Sequence, residues 1–491
     1  MKKTLIVSLP ALVLAMTSCV NSLDDYNIDP KAATKVPAVT LVSTAERALA
    51  RQVTSSSVNQ NPFRLYVQYW AETTYFDESI YDIKTRQIDR NFWNQMYRGG
   101  GTADATIDNT GVLRNLLEAR NVINADATLA LTPKVKANQL ACIGVLEVYA
   151  WSTLVNTYGN VPYSEALNDA NPQPKYDDAK SIYNDLFVRL DAAIQGLDAT
   201  AEGLGEADLI YQGDVANWKK FANSLKLRMA LTIADDDAAK ATTLAQQAAT
   251  GVFSSNGENA TLDFLSSTPN THPVWEDLVQ SGRKDFIGTS FFINKLKAFN
   301  DPRLPVYFKP VTGTSNFTGG RYGEGNVAAN FSNPGVALED PQQPGVLLSY
   351  SEVEFLLAEA KARNINVTGT TESHYENAVT ASIEEWGGSA VDATTYLAQP
   401  TVAYATATGS YKEKIGVQKW VALYNQPTQA WTEWRRLDSP MLTKPAGALT
   451  DIPLRFTYPT PEGNVNGANY AAAATAIRGD LVTSKIFWDK F

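Results

Sequence analysis

Residues 131–163 read "LTPKVKANQLACIGVLEVYAWSTLVNTYGNVPY", and the spacing within them predicts a long helix that packs closely on a neighbour. Ala137, Leu140, Ala141, Gly144, Val145, Val148, Tyr149 and Ser152 recur at three- and four-residue steps. That places them along one side of a helix as a stripe of mostly small residues. Pro133 after Thr132 suits a capped start, because proline lacks only an N–H that the first turn leaves unbonded anyway. The helix stops at "YGNVPY". There a glycine-asparagine pair lets the chain leave the helix and reverse, Pro162 fixes the exit direction, and Tyr158 and Tyr163 pack on either side. This segment reads as a structural corner and not as a binding element.

The stretch that follows, "YDDAKSIYNDLFVRLDAAIQGL" (176–197), repeats the helical spacing through Ile182, Leu186, Leu190 and Ile194 and stops at Gly196. The two helices are expected to form an antiparallel pair. Three further pairs have the same pattern: "VANWKKFANSLKLRMALTIA" with "AAKATTLAQQAATG", "SYSEVEFLLAEAKARN" with "TESHYENAVTASIEEWGG", and "YKEKIGVQKWVALYN" with "TQAWTEWRRL". Few runs alternate apolar and polar residues, so no extensive sheet is predicted. The expected fold is mostly α, with four tetratricopeptide-like helix pairs, each burying its apolar face by stacking on the next. Long irregular loops rich in Pro, Gly and Asn, chiefly 300–348 and 439–470, separate the pairs.

The amino terminus is of another kind. Lys2 and Lys3 precede a short apolar run from Leu5 to Ala15, too brief to span a bilayer, and "MTSC" sets the small Ser18 before Cys19. This is the arrangement of a bacterial lipoprotein signal, although Met16 stands where leucine is usual, and it predicts a lipidated Cys19. The chain then divides into a leader (1–18), a polar tether (19–37) and one helical domain (38–491). Asp24 and Asp25 sit where some lipoproteins carry an acidic surface-export signal. The other cysteine, Cys142, has no partner once Cys19 carries lipid. The net charge is −10 and becomes more negative when the two leader lysines are removed, so nucleic acid is not an expected partner. No later apolar run reads as a membrane span, so the body is expected to be anchored to a membrane and not embedded in it.

Seven stretches in order, "NTYGNVPYSEAL", "NWKKFANSLKLRMALTIA", "SGRKDF", "NDPRLPVYF", "SYSEVEFLLAEA", "VQKWVALYNQPTQAWTEWRRLDSP" and "IPLRFTYPTPEGNVNGANYAAA", resemble consecutive signatures of the SusD/RagB family of nutrient-binding outer-membrane lipoproteins. The branch is the one whose late motif lies around Trp431 and Trp434. The resemblance runs from about residue 20 to the carboxyl end. It implies a SusD-like helical fold, an anchor on the outside of a Bacteroidetes outer membrane, and a SusC-like TonB-dependent transporter as partner.

Residue chemistry argues against an enzyme. The two histidines, His272 and His374, and a single thiol beyond Cys19 leave little for a His-ligated metal or a Ser-His-Asp arrangement. Each histidine reads as a surface or packing residue. No Walker, Rossmann or HExxH pattern occurs, so neither cofactor nor metal is expected. "DDD" at 235–237 lacks the spacing and glycine of a calcium loop and reads as a solvated helix cap. A pair of carboxylates remains available for glycoside hydrolysis.

Binding chemistry is richer. The stretch "FRLYVQYWAETTYFDESIYDIKTRQIDRNFWNQMY" (63–97) interleaves aromatic residues with Gln68, Glu72, Asp77 and Glu78. An aromatic face accepts the apolar face of a pyranose, and carboxylate, amide and guanidinium groups take its hydroxyls. Tyr66, Tyr69, Phe92 and Trp93 fall at helical spacing and are assigned to packing. Trp70, Tyr75 and Tyr81 flank or lie in the irregular "AETTYFDESIYD" and are expected to be exposed ligand-binding residues. In "HPVWEDLVQSGRKDF" (272–286), Arg283 and Asp285 either orient a ligand or close a loop by an ion pair. The function these readings favour is capture of an oligomeric nutrient, most naturally a glycan, and its delivery to the transporter. A carboxylate-dependent glycosidase and a tetratricopeptide-type protein or peptide scaffold are the alternatives.

Overall fold

The computed structural model describes residues 36–99 and 110–491. The leader, Cys19, Asp24 and Asp25 lie outside the described residues. Residues Ala38–Phe491 form one compact unit that does not include Met1–Pro37.

The helices that build the body are α1 (Ala38–Thr54), α2 (Leu113–Ala125), α3 (Pro133–Tyr158), α4 (Ala179–Gly196), α5 (Val215–Thr232), α6 (Ala238–Ala248), α7 (Tyr350–Ala362), α8 (Thr371–Glu385), α9 (Tyr411–Ala422) and α10 (Pro427–Leu437). The four expected pairs are all in contact: α3 with α4, α5 with α6, α7 with α8, and α9 with α10. The helix pair α1 with α2 was not foreseen.

The caps follow local chemistry. The Thr132 side chain accepts from the Val135 N–H at the start of α3, with Pro133 in the first turn. Asp178, Asp214 and Ser349 accept first-turn N–H groups of α4, α5 and α7. Ser410 and Glu413 form a reciprocal capping box on α9. The stripe on α3 serves close approach: a methyl built on Gly144 would lie 3.5 Å from Ala193 of α4, and one on Gly196 would lie 3.5 Å from Ala141. At the corner, Gly159 takes a φ of +82°, where L side chains are strained. Asn160 Oδ1 then accepts from Ala179 N–H, tying the corner to the next helix.

One sequence expectation about α3 is corrected. It is the single helix among the described residues with the length and apolarity to cross a membrane, but most of it is buried in the core. "DDD" is corrected as well. Asp237 caps α6 as expected, whereas Asp235 is held by Arg363 and Lys412 at 2.7 Å and 2.9 Å, and Asp236 by Lys180 and Lys490. These acids join helices and are not a solvated tip.

Among the described residues strands are short and few: three two-stranded antiparallel ladders, β1 (Trp70–Glu72) with β5 (Phe286–Gly288), β2 (Val161–Pro162) with β3 (Tyr176–Asp177), and β4 (Ala260–Leu262) with β6 (Gly345–Leu348). The core beneath them is aromatic. Phe63 stacks on Trp431 at 4.6 Å between ring centres and on Phe456 at 5.2 Å, and the Arg435 guanidinium lies 3.5 Å over Trp431. Tyr66, Tyr69, Phe92 and Trp93 are buried here, as their spacing predicts.

Candidate functional site

The β1–β5 ladder positions the site. Its register sets Glu72 opposite Phe286, so the chain leaving β1 and the chain entering β5 emerge at one edge. Thr73 fastens them, its N–H donating to Asp285 O at 2.9 Å and its hydroxyl to Lys284 O at 2.8 Å. Tyr75 and the segment Arg283–Asp285 are thereby brought together across some two hundred residues of sequence. They line an open cavity of about 390 Å³, walled also by Ser56, Glu72, Arg86 and Asp277.

Tyr75 is 60 % exposed, an unusual state for a large aromatic. The Arg283 guanidinium lies 6.0 Å from its ring centre and makes two hydrogen bonds with the Asp285 carboxylate, one of 3.1 Å. The sequence left Arg283 and Asp285 as either ligand contacts or a loop-closing ion pair. They do form the ion pair, and the pair lines the cavity.

The expected exposure of Trp70 and Tyr81 is corrected. Trp70 is fully buried: its indole N–H donates to the Tyr424 hydroxyl at 2.7 Å, Phe286 packs on one side, and the Arg64 guanidinium lies 5.0 Å from its ring centre. Tyr81 is 2 % exposed and sits edge-on to Tyr66. The reason is tertiary. Trp70 is enclosed by Tyr424, Phe286 and Arg64, and the loop after Ser439 reaches the turn before Tyr81, Leu449 N–H donating to Ile80 O at 2.9 Å.

Sequence reasoning missed Asp277, Ser56 and Arg86. Asp277 projects from a π-helical turn, Glu276–Gln280, at the end of the short helix Pro273–Trp275. Its carboxylate accepts from the Ser56 hydroxyl at 2.7 Å. Burial pushes its pKa up to about 6, against that hydrogen bond and with Glu276 and Asp285 adding to the rise. Glu72 lies behind it. Burial and its hydrogen-bonded neighbour Glu78 raise its carboxyl well above the usual range, although Ser79 donates to it twice. Arg86 donates to Glu78 at 2.5 Å.

A larger opening of about 530 Å³ lies where Trp151 and Tyr163 meet α4. Its charged groups bond one another: Arg120 and Arg189 with Glu147, Arg189 with Tyr163, and Asp177 with Ser164. The corner at "YGNVPY" therefore borders a cavity whose polar lining is internally satisfied. The two histidines are packing residues. His272 is buried and caps the Pro273–Trp275 turn through Nδ1, and His374 lies between Glu354 and Thr368.

With the site in view, the chain can be compared with known proteins. A SusD-like family profile, "Starch-binding associating with outer membrane", matches residues 30–459. The chain belongs to the SusD-like family. Its fold agrees with solved SusD-like structures. A chitin-binding protein superposes with a TM-score of 0.77 at 26 % identity, over 92 % of this chain and 100 % of that one. A SusD homolog from Bacteroides uniformis gives 0.76 at 24 % identity, over 92 % and 99 %. A chitin-binding SusD homolog from Flavobacterium johnsoniae gives 0.75 at 22 % identity, over 92 % and 98 %. A comparison with curated protein sequences returned no match.

Proposed function

We propose that this SusD-like protein captures a glycan at the cell surface, in the cavity beside Tyr75, and hands it to a SusC-like TonB-dependent transporter. The observation that carries the reading is the exposed Tyr75 ring standing over a cavity walled by Asp277, Asp285, Arg283 and Ser56. A flat ring offers stacking area at low entropic cost, and carboxylate and guanidinium groups bond sugar hydroxyls in fixed directions. The names of its chitin-binding structural neighbours and the starch-binding description of its family support a glycan over a peptide. A lipid anchor at Cys19 keeps the cavity near the membrane.

Binding without turnover is part of the proposal. The test is to screen the protein against starch, chitin and other oligosaccharides, with new reducing ends assayed in parallel, and to pull it down from gently solubilised membranes. Retention of a glycan without cleavage, together with recovery of a large outer-membrane barrel, is the expected result. Sustained hydrolysis moves the assignment to a glycosidase, and recovery of this chain alone under several mild conditions argues against the transporter.

A further inference from the structure

The cavity beside Tyr75 has an unbalanced charge. Arg283 is committed to Asp285, Arg86 to Glu78 with Asp77 at 3.7 Å, and Arg51, behind the wall, to Glu276 at 2.8 Å. Every arginine around the cavity thus has its acid, and one lining carboxylate remains. It is Asp277: among the described residues its carboxylate takes a side-chain hydrogen bond from Ser56 alone. An anionic sugar would meet this carboxylate, and the guanidinium groups beside it are occupied. A neutral sugar would offer hydroxyl donors and leave the charge uncompensated.

We propose that the cavity selects oligosaccharides whose units carry a protonated amine, such as hexosamines with a free amino group, with Asp277 as counter-charge and Tyr75 stacked on the sugar ring. The inference deepens the capture reading and rests on it. An ammonium donates charge-assisted hydrogen bonds, which are about twice as strong as those of a neutral hydroxyl, and attraction between opposite charges grows in a half-buried site. Burial raises the pKa of Asp277 to about 6 against the pull of Ser56 and Arg51, so the carboxyl still carries charge at pH 7. Acetylation of the amine removes that charge and adds a group that carries no proton for Asp277 beyond an amide N–H.

The test is calorimetric titration of the purified protein at pH 7 with a glucosamine tetrasaccharide, its N-acetylated counterpart and a neutral glucose tetrasaccharide. The glucosamine oligomer is expected to bind at least tenfold more tightly than either. That preference should shrink as salt is raised and should vanish in Asp277→Asn. Thermal melting of the variant checks that it is folded, and the wild-type salt series provides an answer that does not depend on it. Equal or tighter binding of the N-acetylated or neutral oligomer overturns the inference, as does a preference that persists in folded Asp277→Asn. If those neutral ligands bind and need Tyr75, capture stands and the amine preference falls. If no oligosaccharide binds, capture itself fails, and the inference with it.

Discussion

Arg436 of α10 grips Glu359 of α7 with two hydrogen bonds, 2.6 Å and 2.5 Å, in a fully buried position. Glu433 and Lys419 extend this contact on one side, and Arg363 with Asp235 carries it to the surface. The network joins the third and fourth helix pairs and accounts for Glu359 of "FLLAEA" and for Glu433 and Arg436 of "TEWRRL" inside an otherwise apolar core.

Removing one partner of such a pair strands a buried charge. Arg436→Met is expected to lower stability by about 3 to 5 kcal/mol, read as a shift in urea or thermal midpoint. A loss within about 0.5 kcal/mol, the scale of an ordinary surface change, would contradict the role assigned to the network.

His374 gives stability a pH dependence of known sign. Nδ1 lies 2.7 Å from Glu354 Oε2 and Nε2 2.8 Å from Thr368 O, two acceptors that only a doubly protonated ring satisfies. Burial opposes the charge, but these bonds outweigh it and the pKa is raised above 6.5. A histidine whose folded pKa is raised contributes stability in full below the unfolded value, about 6.5, and loses it as pH rises through the folded value. His374→Leu should therefore cost more stability at pH 5.5 than at pH 9. Equal losses at both would show that the ring is held by packing alone.

Trp70 is buried in the fold. Trp70→Ala is expected to cost about 3 to 5 kcal/mol of stability through the cavity it leaves. The check is a melting curve beside a binding assay. A variant that melts normally but binds poorly would return Trp70 to the site.

Cys19→Ala should move the protein from the membrane fraction to the soluble one, since a lipidated cysteine after Ser18 is the anchor the leader predicts. Tight membrane association of the variant would contradict a lipid anchor there.

The helix pairs were readable because each repeats apolar residues at helical spacing between recognisable caps, as in Thr132-Pro133 and Ser410 with Glu413. The α1–α2 pair was harder, since Ile88–Tyr97 and other elements separate its halves. The site was half legible. Tyr75, Arg283 and Asp285 lie in segments whose irregularity marked them. Asp277 and Ser56 are ordinary residues locally and reach the cavity only because a π turn presents Asp277 and the chain leaving α1 presents Ser56 to it. Trp70 and Tyr81 misled for the converse reason: Phe286 and Tyr424 enclose Trp70 and the loop carrying Leu449 is tied to the turn beside Tyr81, all more than two hundred residues later.

The measurement that bears most directly on glycan capture is calorimetric titration of Tyr75→Ala with an oligosaccharide that the wild-type protein retains. The ring is 60 % exposed, so its loss should leave the melting temperature nearly unchanged while weakening binding by about 1 to 3 kcal/mol, roughly tenfold or more. Unchanged affinity in a normally folded Tyr75→Ala would contradict the assignment of this cavity as the glycan site.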